Sequence, residues 1–232
     1  MISIGVLGVG SPKYRIAAWQ TALISSKKSN FEVFLGIDVG VDGGIKEVEL
    51  PFELVQLNNG RGNFRAQPFL QKFELWREML NRSNAEILIH LDADAVMVKE
   101  LTAEAVKKVL GDFDLGMVEQ GQIIGESKFG KIELYQHYLH HTHRYIAPDL
   151  DPPSLDDFTF FNSGVVIFRR AELERFLDWF ESVSVKLDGT YSLGEHMIAD
   201  QDFLQIWANE IRPSGSTKLP PTFNHSPLWH VD

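Results

Sequence analysis

The chain has 232 residues, 44% apolar and 23% charged, and its 32 acidic and 22 basic side chains give a net charge of −10, a mix typical of folded globular proteins. The absence of cysteine excludes a disulfide scaffold, a cysteine nucleophile and thiolate-bound zinc, and it fits a reducing compartment, so we expect a cytoplasmic protein. The acidic balance argues against nucleic acid as a partner, and no apolar run reaches the ~18 residues of a membrane span.

In the first half of the chain, short apolar runs alternate with helical patterns, as in a parallel sheet covered by helices. The first run, residues 2–9, predicts a buried strand and not a signal peptide, and it ends in a glycine-rich turn. Further strands are predicted at 31–37 and 54–57, with a helix at 16–24 and a loop at 58–63. From Pro68 on, a helical face is formed by Phe69, Leu70, Phe73, Trp76 and Leu80.

The second half continues the alternation. Residues 87–91 and 164–168 are apolar without interruption, as in strands buried on both faces, and 113–118 is a shorter strand. Helices are predicted at 171–183 and 198–207, whereas 119–158 is irregular and 219–225 is extended and rich in proline. We therefore predict one α/β domain over 1–232, Rossmann-like, with a mixed, mostly parallel central sheet flanked by helices.

Asp92-Ala93-Asp94 follows the buried strand 87–91 directly. Ligands of open α/β sheets bind outside such strand ends, and paired carboxylates there favour a hard divalent cation, Mn²⁺ or Mg²⁺. Spacing of two along a strand would put both side chains on one face, whereas a bend after Asp92 would let one bind directly and the other through water. The alternative is a pair of solvated loop aspartates.

An acidic protein that binds a polyanion needs local positive charge. Arg61 and Arg65 on the predicted loop and Lys72 on the helix after it are candidates. We expect at least one of them, with Arg65 and Lys72 preferred, to contact a phosphate. The alternative is an exposed basic surface, the usual environment of a single Lys or Arg.

The order of these blocks resembles nucleotide-sugar glycosyltransferases of the GT-A fold, especially retaining enzymes such as glycogenin and the bacterial lipooligosaccharide galactosyltransferases. The blocks are the glycine-rich turn, the lysine-bearing helix, the strand with Asp92-Ala93-Asp94, the segment 161–166 and the segment 199–204. The resemblance implies transfer of a hexose from a nucleoside diphosphate sugar, expected to be a UDP-sugar, to a hydroxyl of a glycan or other acceptor, with retention of configuration. Residues 119–158 match no known block.

On the nucleotide side, the resemblance implies that Asp92 and Asp94, with Ala93 between them, hold Mn²⁺ and through it the diphosphate. Gly8, Val9 and Gly10 would cradle the nucleoside, and Tyr14 would stack on uracil. A late histidine is usually a further metal ligand, and His225 is the better placed candidate, with His230 behind it. The glycine- and lysine-containing tail of glycogenin-like enzymes is missing from this chain.

On the sugar side, the resemblance implies that Asn162 and Ser163 line the sugar or acceptor pocket and that Asp200 and Gln201 lie beside the transferred sugar as catalytic residues. Helical spacing alone puts Asp200 on an apolar face with Phe203, Leu204 and Trp207. Asp is also a favoured residue for a helix N-cap, so a role in the site and a role as a cap both stay open for Asp200. Asp202 points elsewhere and is expected to be exposed.

Four histidines lie in the irregular region, at 137, 140, 141 and 143. On a helix, three of them would share a face, which suits zinc. Interleaved tyrosines suit contacts to a sugar acceptor, and an exposed helix without function is an equal alternative. Trp229 is either a core residue or a lid over the donor.

Two other classes compete with a glycosyltransferase. Asp92-Ala93-Asp94 also resembles the nucleophile motif of haloacid-dehalogenase-type phosphatases, in which the first aspartate is phosphorylated beside Mg²⁺. That motif normally lies on the first strand, whereas more than a third of this chain precedes it. The third class is a nucleotide- or sugar-binding module without turnover. The residues predict no oligomeric state and identify neither sugar nor acceptor.

Overall fold

The structure is a computed structural model that describes residues 1–38, 50–57, 68–120, 130–188 and 199–224, with the backbone of 123–124 and 127–128. Within these residues, seven strands form one sheet. They are β1 (Ile2–Gly8), β2 (Glu32–Ile37), β3 (Glu53–Gln56), β4 (Ile87–Leu91), β5 (Leu115–Glu119), β8 (Phe161–Arg169) and β9 (Ser216–Leu219). A separate hairpin pairs β6 (Ile123–Ile124) with β7 (Ser127–Lys128).

The strand order is β3-β2-β1-β4-β8-β5-β9. Strand β8 runs antiparallel to its neighbours β4 and β5, and the other pairs are parallel. The order reverses between β1 and β4, since the chain first builds outward to β3 and then returns to the other side of β1. A crevice at such a switch point, beyond the carboxyl ends of the strands, is where open α/β sheets bind ligands. The predicted mixed, mostly parallel α/β fold is confirmed.

Helices cover both faces of the sheet. The helices are α1 (Pro12–Lys28), α2 (Gln71–Arg82), α3 (Ala103–Leu110), α4 (Lys131–His137), α5 (Arg144–Ile146), α6 (Arg170–Asp188) and α7 (Asp200–Ile206). Apolar side chains of α2, α6 and α7 pack on one face with aromatic rings in edge contacts, and those of α1 and α3 pack on the other. None of the helices in the described ranges has both the length and the apolar character that crossing a membrane requires.

The predicted irregular region 119–158 contains an unexpected helical stretch. A π-helical turn, Tyr138–His143, joins α4 to α5, so the helix runs over 131–146. Its buried positions are Leu134, Tyr138, Thr142 and Ile146, four residues apart. The π turn widens the period beyond 3.6, and a search for α-helical periodicity misses such a segment for that reason.

Other differences concern shorter segments. Helix α3 was not predicted, although Thr102 caps it through the Ala105 N–H at 3.2 Å and Gly111 ends it at φ 57°. Strand β8 begins at Phe161 rather than at 164, so Asn162 and Ser163 belong to the strand. The extended tail contains β9, paired with β5, and then a short 3-10 turn, Pro221–Phe223.

Candidate functional site

The switch-point edge of the sheet collects most of the predicted site residues. Gly8 ends β1 and Val9-Gly10 follow it, Asp92 follows β4, and Asn162-Ser163-Gly164 lie near the start of the antiparallel β8, just after Phe161, at the same edge. Register explains the proximity, because the Asp92 N–H donates to the Gly164 carbonyl at 2.8 Å. The fold therefore brings together the first, third and fourth sequence blocks of the predicted site.

Asp92-Ala93-Asp94 forms a turn and not an extended strand. The Ala95 N–H donates to the Asp92 carbonyl at 2.9 Å, and the Thr21 hydroxyl of α1 donates to the Ala93 carbonyl at 2.7 Å. The same-face arrangement expected from strand spacing is wrong, and the bend after Asp92 is the observed geometry. Asp94 is exposed at the turn, while Asp92 keeps 39% of its side-chain surface exposed.

The centre of the site is the Lys72 ammonium, which is 3% exposed. Its Nζ lies 2.5 Å from Asp200 Oδ2, 3.0 Å from Asp92 Oδ1 and 3.1 Å from the Ser163 carbonyl, to which it donates. Helix α2 thereby joins β4, β8 and α7 through one cation. Lys72 faces carboxylates within the protein, so the described geometry favours a positioning role over the predicted phosphate contact.

Lys72 and Asp92 are each held in the ionised state by their neighbours. Burial works to lower the pKa of Lys72, but Asp200 and Asp92 outweigh it and raise that pKa above its ordinary value. Burial works to raise the pKa of Asp92, but Lys72 and a hydrogen bond from His90 bring it well below its usual range. A charged lysine and a charged Asp92 are therefore the stable pair at neutral pH.

His90, which the sequence analysis did not single out, lies behind Asp92. Its Nε2 is 3.1 Å from Asp92 Oδ1, and its Nδ1 accepts the Trp76 indole N–H at 3.1 Å. Burial and the Lys72 ammonium lower the pKa of His90 to about 4, so the ring is neutral. The signal in the sequence was a polar residue within an apolar strand, two residues before Asp92.

Gly164 forms the floor in front of Asp92. A Cβ on Gly164 would stand 2.8 Å from Asn224 Nδ2, 2.9 Å from Asn162 Oδ1 and 3.3 Å from Asp92 Oδ2. Asn162 Oδ1 also accepts from the Gly164 N–H at 2.7 Å and from the side chain of Asn224. Three polar groups thus converge over a bare Cα, and Asn224 joins the site although the sequence analysis did not include it.

The glycine-rich turn after β1 is hydrogen-bonded to Asp38, the residue after β2. Gly10, at φ 82°, donates its N–H to Asp38 Oδ2 at 2.9 Å, and Arg15 Nε donates to Asp38 Oδ1 at 2.9 Å. Only glycine adopts that φ without strain. Tyr14, on the first turn of α1, is 49% exposed. Asp38 was missed as a site residue, although its place after β2 meets the strand-end rule that found Asp92.

Helix α7 differs from the sequence expectation. The helix is capped by Asp202 and not by Asp200. The Asp202 carboxylate accepts the Ala199 N–H at 2.8 Å and also accepts a hydrogen bond from the Thr142 hydroxyl. The expectation of an exposed Asp202 is wrong, because the π turn of 138–143 packs over it. Gln201 Nε2 donates to Gln120 Oε1 at 2.8 Å, which adds Gln120, the residue after β5, to the same edge.

The remaining predictions are outside the site or outside the described ranges. Among the described residues, no three His, Asp or Glu side chains form a group that could hold a metal ion. The ring centroids of His137 and His141 are 4.7 Å apart, with the ring planes tilted by 32°. Asp92 and Asp94 still fit Mg²⁺ or Mn²⁺, because such ions commonly use one or two carboxylates, waters and substrate phosphates. The following residues lie outside the described ranges: Arg61, Arg65, His225, Trp229 and His230.

Replacing Lys72 by methionine should destabilise the fold strongly. Lys72→Met leaves Asp92 and Asp200 facing each other without their cation, and breaking a buried pair costs about 3–5 kcal/mol. Denaturant unfolding measures the loss. The control is Lys218→Met, because Lys218 pairs with Glu119 at 2.9 Å on the exposed surface and such pairs contribute about 1 kcal/mol or less. Equal losses in the two variants would contradict a central role for Lys72.

Asp202 should make stability depend on pH. Burial raises its pKa from 3.8 to about 6, against the hydrogen bonds from Ala199 and Thr142. Between these values the folded state binds a proton that the unfolded state has lost, so stability falls as pH rises through that window, by at most about 1.4 kcal/mol per pH unit. Asp202→Asn removes this dependence of stability on pH, because an amide does not titrate. The free energy of unfolding of the wild type, minus that of Asp202→Asn, should fall between pH 4 and 6; a flat difference would contradict the shift.

Comparison with known proteins adds no family to this geometry. No protein-family model matches the chain, and no curated protein matches it. What the site can do must therefore be inferred from its own residues: a bent pair of aspartates, a buried lysine shared by Asp92 and Asp200, and a glycine-rich turn at the same switch point.

Proposed function

We propose that this protein is a metal-dependent glycosyltransferase that transfers a hexose from a nucleoside diphosphate sugar, preferably a UDP-sugar, to a hydroxyl of a glycan or another acceptor. The observation that carries the proposal is the position of the Asp92-Ala93-Asp94 turn at the switch point between β1 and β4, beside the glycine-rich turn. Three parts of the proposal rest on the sequence resemblance alone: retention of configuration, the GT-A family and Mn²⁺ as the metal.

The charge balance of the site supports a divalent cation. Asp92, Asp94 and Asp200 carry three negative charges, Lys72 carries one positive charge, and His90 is neutral. Two negative charges remain at an edge where a diphosphate would have to bind. A divalent cation cancels them and supplies an attachment for phosphate oxygens, which an acidic site lacks by itself.

The nucleoside would occupy the side of β1. Gly10 of the glycine-rich turn lets a ligand approach the backbone closely, because no atom lies within 4 Å of where its Cβ would stand. The exposed Tyr14 ring offers a surface for stacking on a base. Asp38 holds the turn in shape through Gly10 and Arg15. Arg65 as a phosphate contact and His225 as a third metal ligand stay predictions from the sequence.

The transferred sugar would lie on the side of Asp200. Lys72 stands between Asp92 and Asp200, so the same ammonium orients the carboxylate assigned to the metal and the one assigned to the sugar. Asp200, with Gln201 beside it, would stabilise the positive charge that develops at the anomeric carbon. The floor is formed by Asn162 and Gly164, where the absence of a Cβ lets the side chains of Asn162, Asn224 and Asp92 come close together. A bound Mn²⁺ would act as a Lewis acid that stabilises the departing diphosphate.

Nucleotide and metal should stabilise the fold together. We expect UDP with Mn²⁺ to raise the melting temperature more than UDP alone, GDP or CMP, because a ligand that binds the folded state stabilises it. Asp94→Asn should abolish the metal-dependent part. Asp112→Asn, at an exposed position before β5 at the opposite edge, should retain it.

The same assays separate the alternatives. Release of phosphate from p-nitrophenyl phosphate with Mg²⁺, without nucleotide binding, would favour the phosphatase. Binding of UDP without slow hydrolysis of any UDP-sugar would favour a binding module. Unchanged affinity in Asp94→Asn would refute its metal role.

Asp200 should act on turnover and not on nucleotide binding. In Asp200→Asn the amide oxygen can still accept from Lys72, but the charge next to the sugar is gone. We expect an unchanged Kd for UDP and a loss of transfer on the order of 100-fold or more. Asp178→Asn, a surface variant on α6 whose side chain is 74% exposed, is the control and should keep full turnover. An unaltered rate in Asp200→Asn would leave Asp200 a structural partner of Lys72.

A further inference from the structure

A line of buried polar groups runs behind the carboxylate of Asp92. The indole Nε1 of Trp76 is 3.1 Å from His90 Nδ1, and His90 Nε2 is 3.1 Å from Asp92 Oδ1. Trp76 and His90 are each 2% exposed. We propose that Trp76 and His90 form a tautomer lock, a pair of side chains that fixes which oxygen of Asp92 faces the protein and which faces the ligand. What that ligand is rests on the proposed function.

The lock follows from the donors and acceptors present. An indole N–H can only donate, so His90 Nδ1 must be the unprotonated, accepting nitrogen. A neutral imidazole then carries its proton on Nε2, and that N–H must donate to Asp92. The other tautomer would set two N–H groups against each other and leave an acceptor against the carboxylate. Both mismatches would be buried, where unmade hydrogen bonds are most costly.

The lock divides the carboxylate of Asp92 into two unlike oxygens. Oδ1 accepts from His90 and pairs with Lys72 at 3.0 Å, so two donors fill it. Oδ2 lies on the side of Gly164, 3.3 Å from where a Cβ of that residue would stand. Asp92 therefore presents Oδ2 to a cation as a monodentate ligand. His90 is a positioning residue, since it acts on the ligand only through Asp92.

The sequence builds this arrangement from two short spacings. Lys72 and Trp76 are four residues apart on α2 and share a face. His90 lies near the end of β4, and Asp92 is the first residue after that strand, with its Oδ1 3.1 Å from His90 Nε2. One turn of helix packed on one strand end therefore supplies both donors to Oδ1. Trp76 also meets His90 edge to face, with ring centroids 5.5 Å apart, which orients the imidazole plane.

The tautomer can be measured in the ligand-free protein. Nitrogen-15 NMR of the imidazole should show His90 protonated on Nε2 and not on Nδ1, with Nδ1 shifted as a hydrogen-bond acceptor. In Trp76→Phe that acceptor shift should disappear. A proton on Nδ1 in the wild type would overturn the lock. This measurement needs no nucleotide, so it tests the tautomer lock whether or not the protein binds UDP. A wild type that binds no UDP would count against the proposed function and not against the lock.

Binding tests the consequence. Outer groups that orient metal ligands typically change affinity 10–100-fold, so we expect Trp76→Phe and His90→Leu to weaken Mn²⁺-dependent UDP binding about tenfold or more. His90→Gln, whose amide can donate to Asp92, should recover most of the affinity. The control is Trp207→Phe, which loses a buried indole hydrogen bond of 2.8 Å to Glu172 away from the site. Equal weakening in both tryptophan variants, or no recovery in His90→Gln, would overturn the proposal.

Discussion

One buried ammonium connects the core of this protein to its candidate site. Lys72 Nζ is 3% exposed and bonds groups that are 20, 91 and 128 positions away along the chain, in Asp92, Ser163 and Asp200. A buried charge is tolerated only when it is paired and its donors are used. The elements α2, β4, β8 and α7 must therefore be packed together before Lys72 is satisfied. The site is consequently complete only when these four elements of the core are packed together.

The opposite edge of the sheet shows what a purely structural ion cluster looks like in the same molecule. Glu172 is fully buried and accepts from Trp207 and Arg212, while Arg175 pairs with its second oxygen at 2.6 Å. Both oxygens there face groups of the protein. At the switch-point edge Asp92 is 39% exposed, and Asp94 is exposed beside it. The aspartates at the switch-point edge therefore keep accessible carboxylate surface that Glu172 lacks. That surface favours the switch-point edge as the place where a ligand could bind.

Some of the residues at strand ends could be predicted from the sequence, whereas Asp38 and Gln120, which follow two other strands, and the residues that depend on tertiary pairing were missed. Asp92 and the Gly8–Gly10 turn follow from local periodicity and the strand-end rule, and Asp38 and Gln120 obey that rule too. The sequence marks His90 as a polar residue in an apolar strand, but its partner Trp76 and the contact of Asn224 with Asn162 depend on tertiary packing. Lys72 gave a local signal: it is four and seven residues before Trp76 and Met79, on the apolar face of its helix, which indicates a buried lysine rather than a phosphate contact. The predicted helical face wrongly included Phe69, which precedes α2 and is 49% exposed.

Under the proposed function, the residual charge of the site would couple the binding of metal and nucleotide. With Lys72 neutralising one of three aspartates, two negative charges stand where the proposed function puts a diphosphate. Repulsion between that edge and a polyanion opposes binding until a cation is present, and a diphosphate in turn adds oxygen ligands that the protein lacks. Coupling between two ligands is reciprocal, so each must raise the affinity of the other by the same factor. A site with more basic residues could bind the nucleotide without a metal. In this site the lysine is buried, so under the proposed function nucleotide binding would depend on the cation.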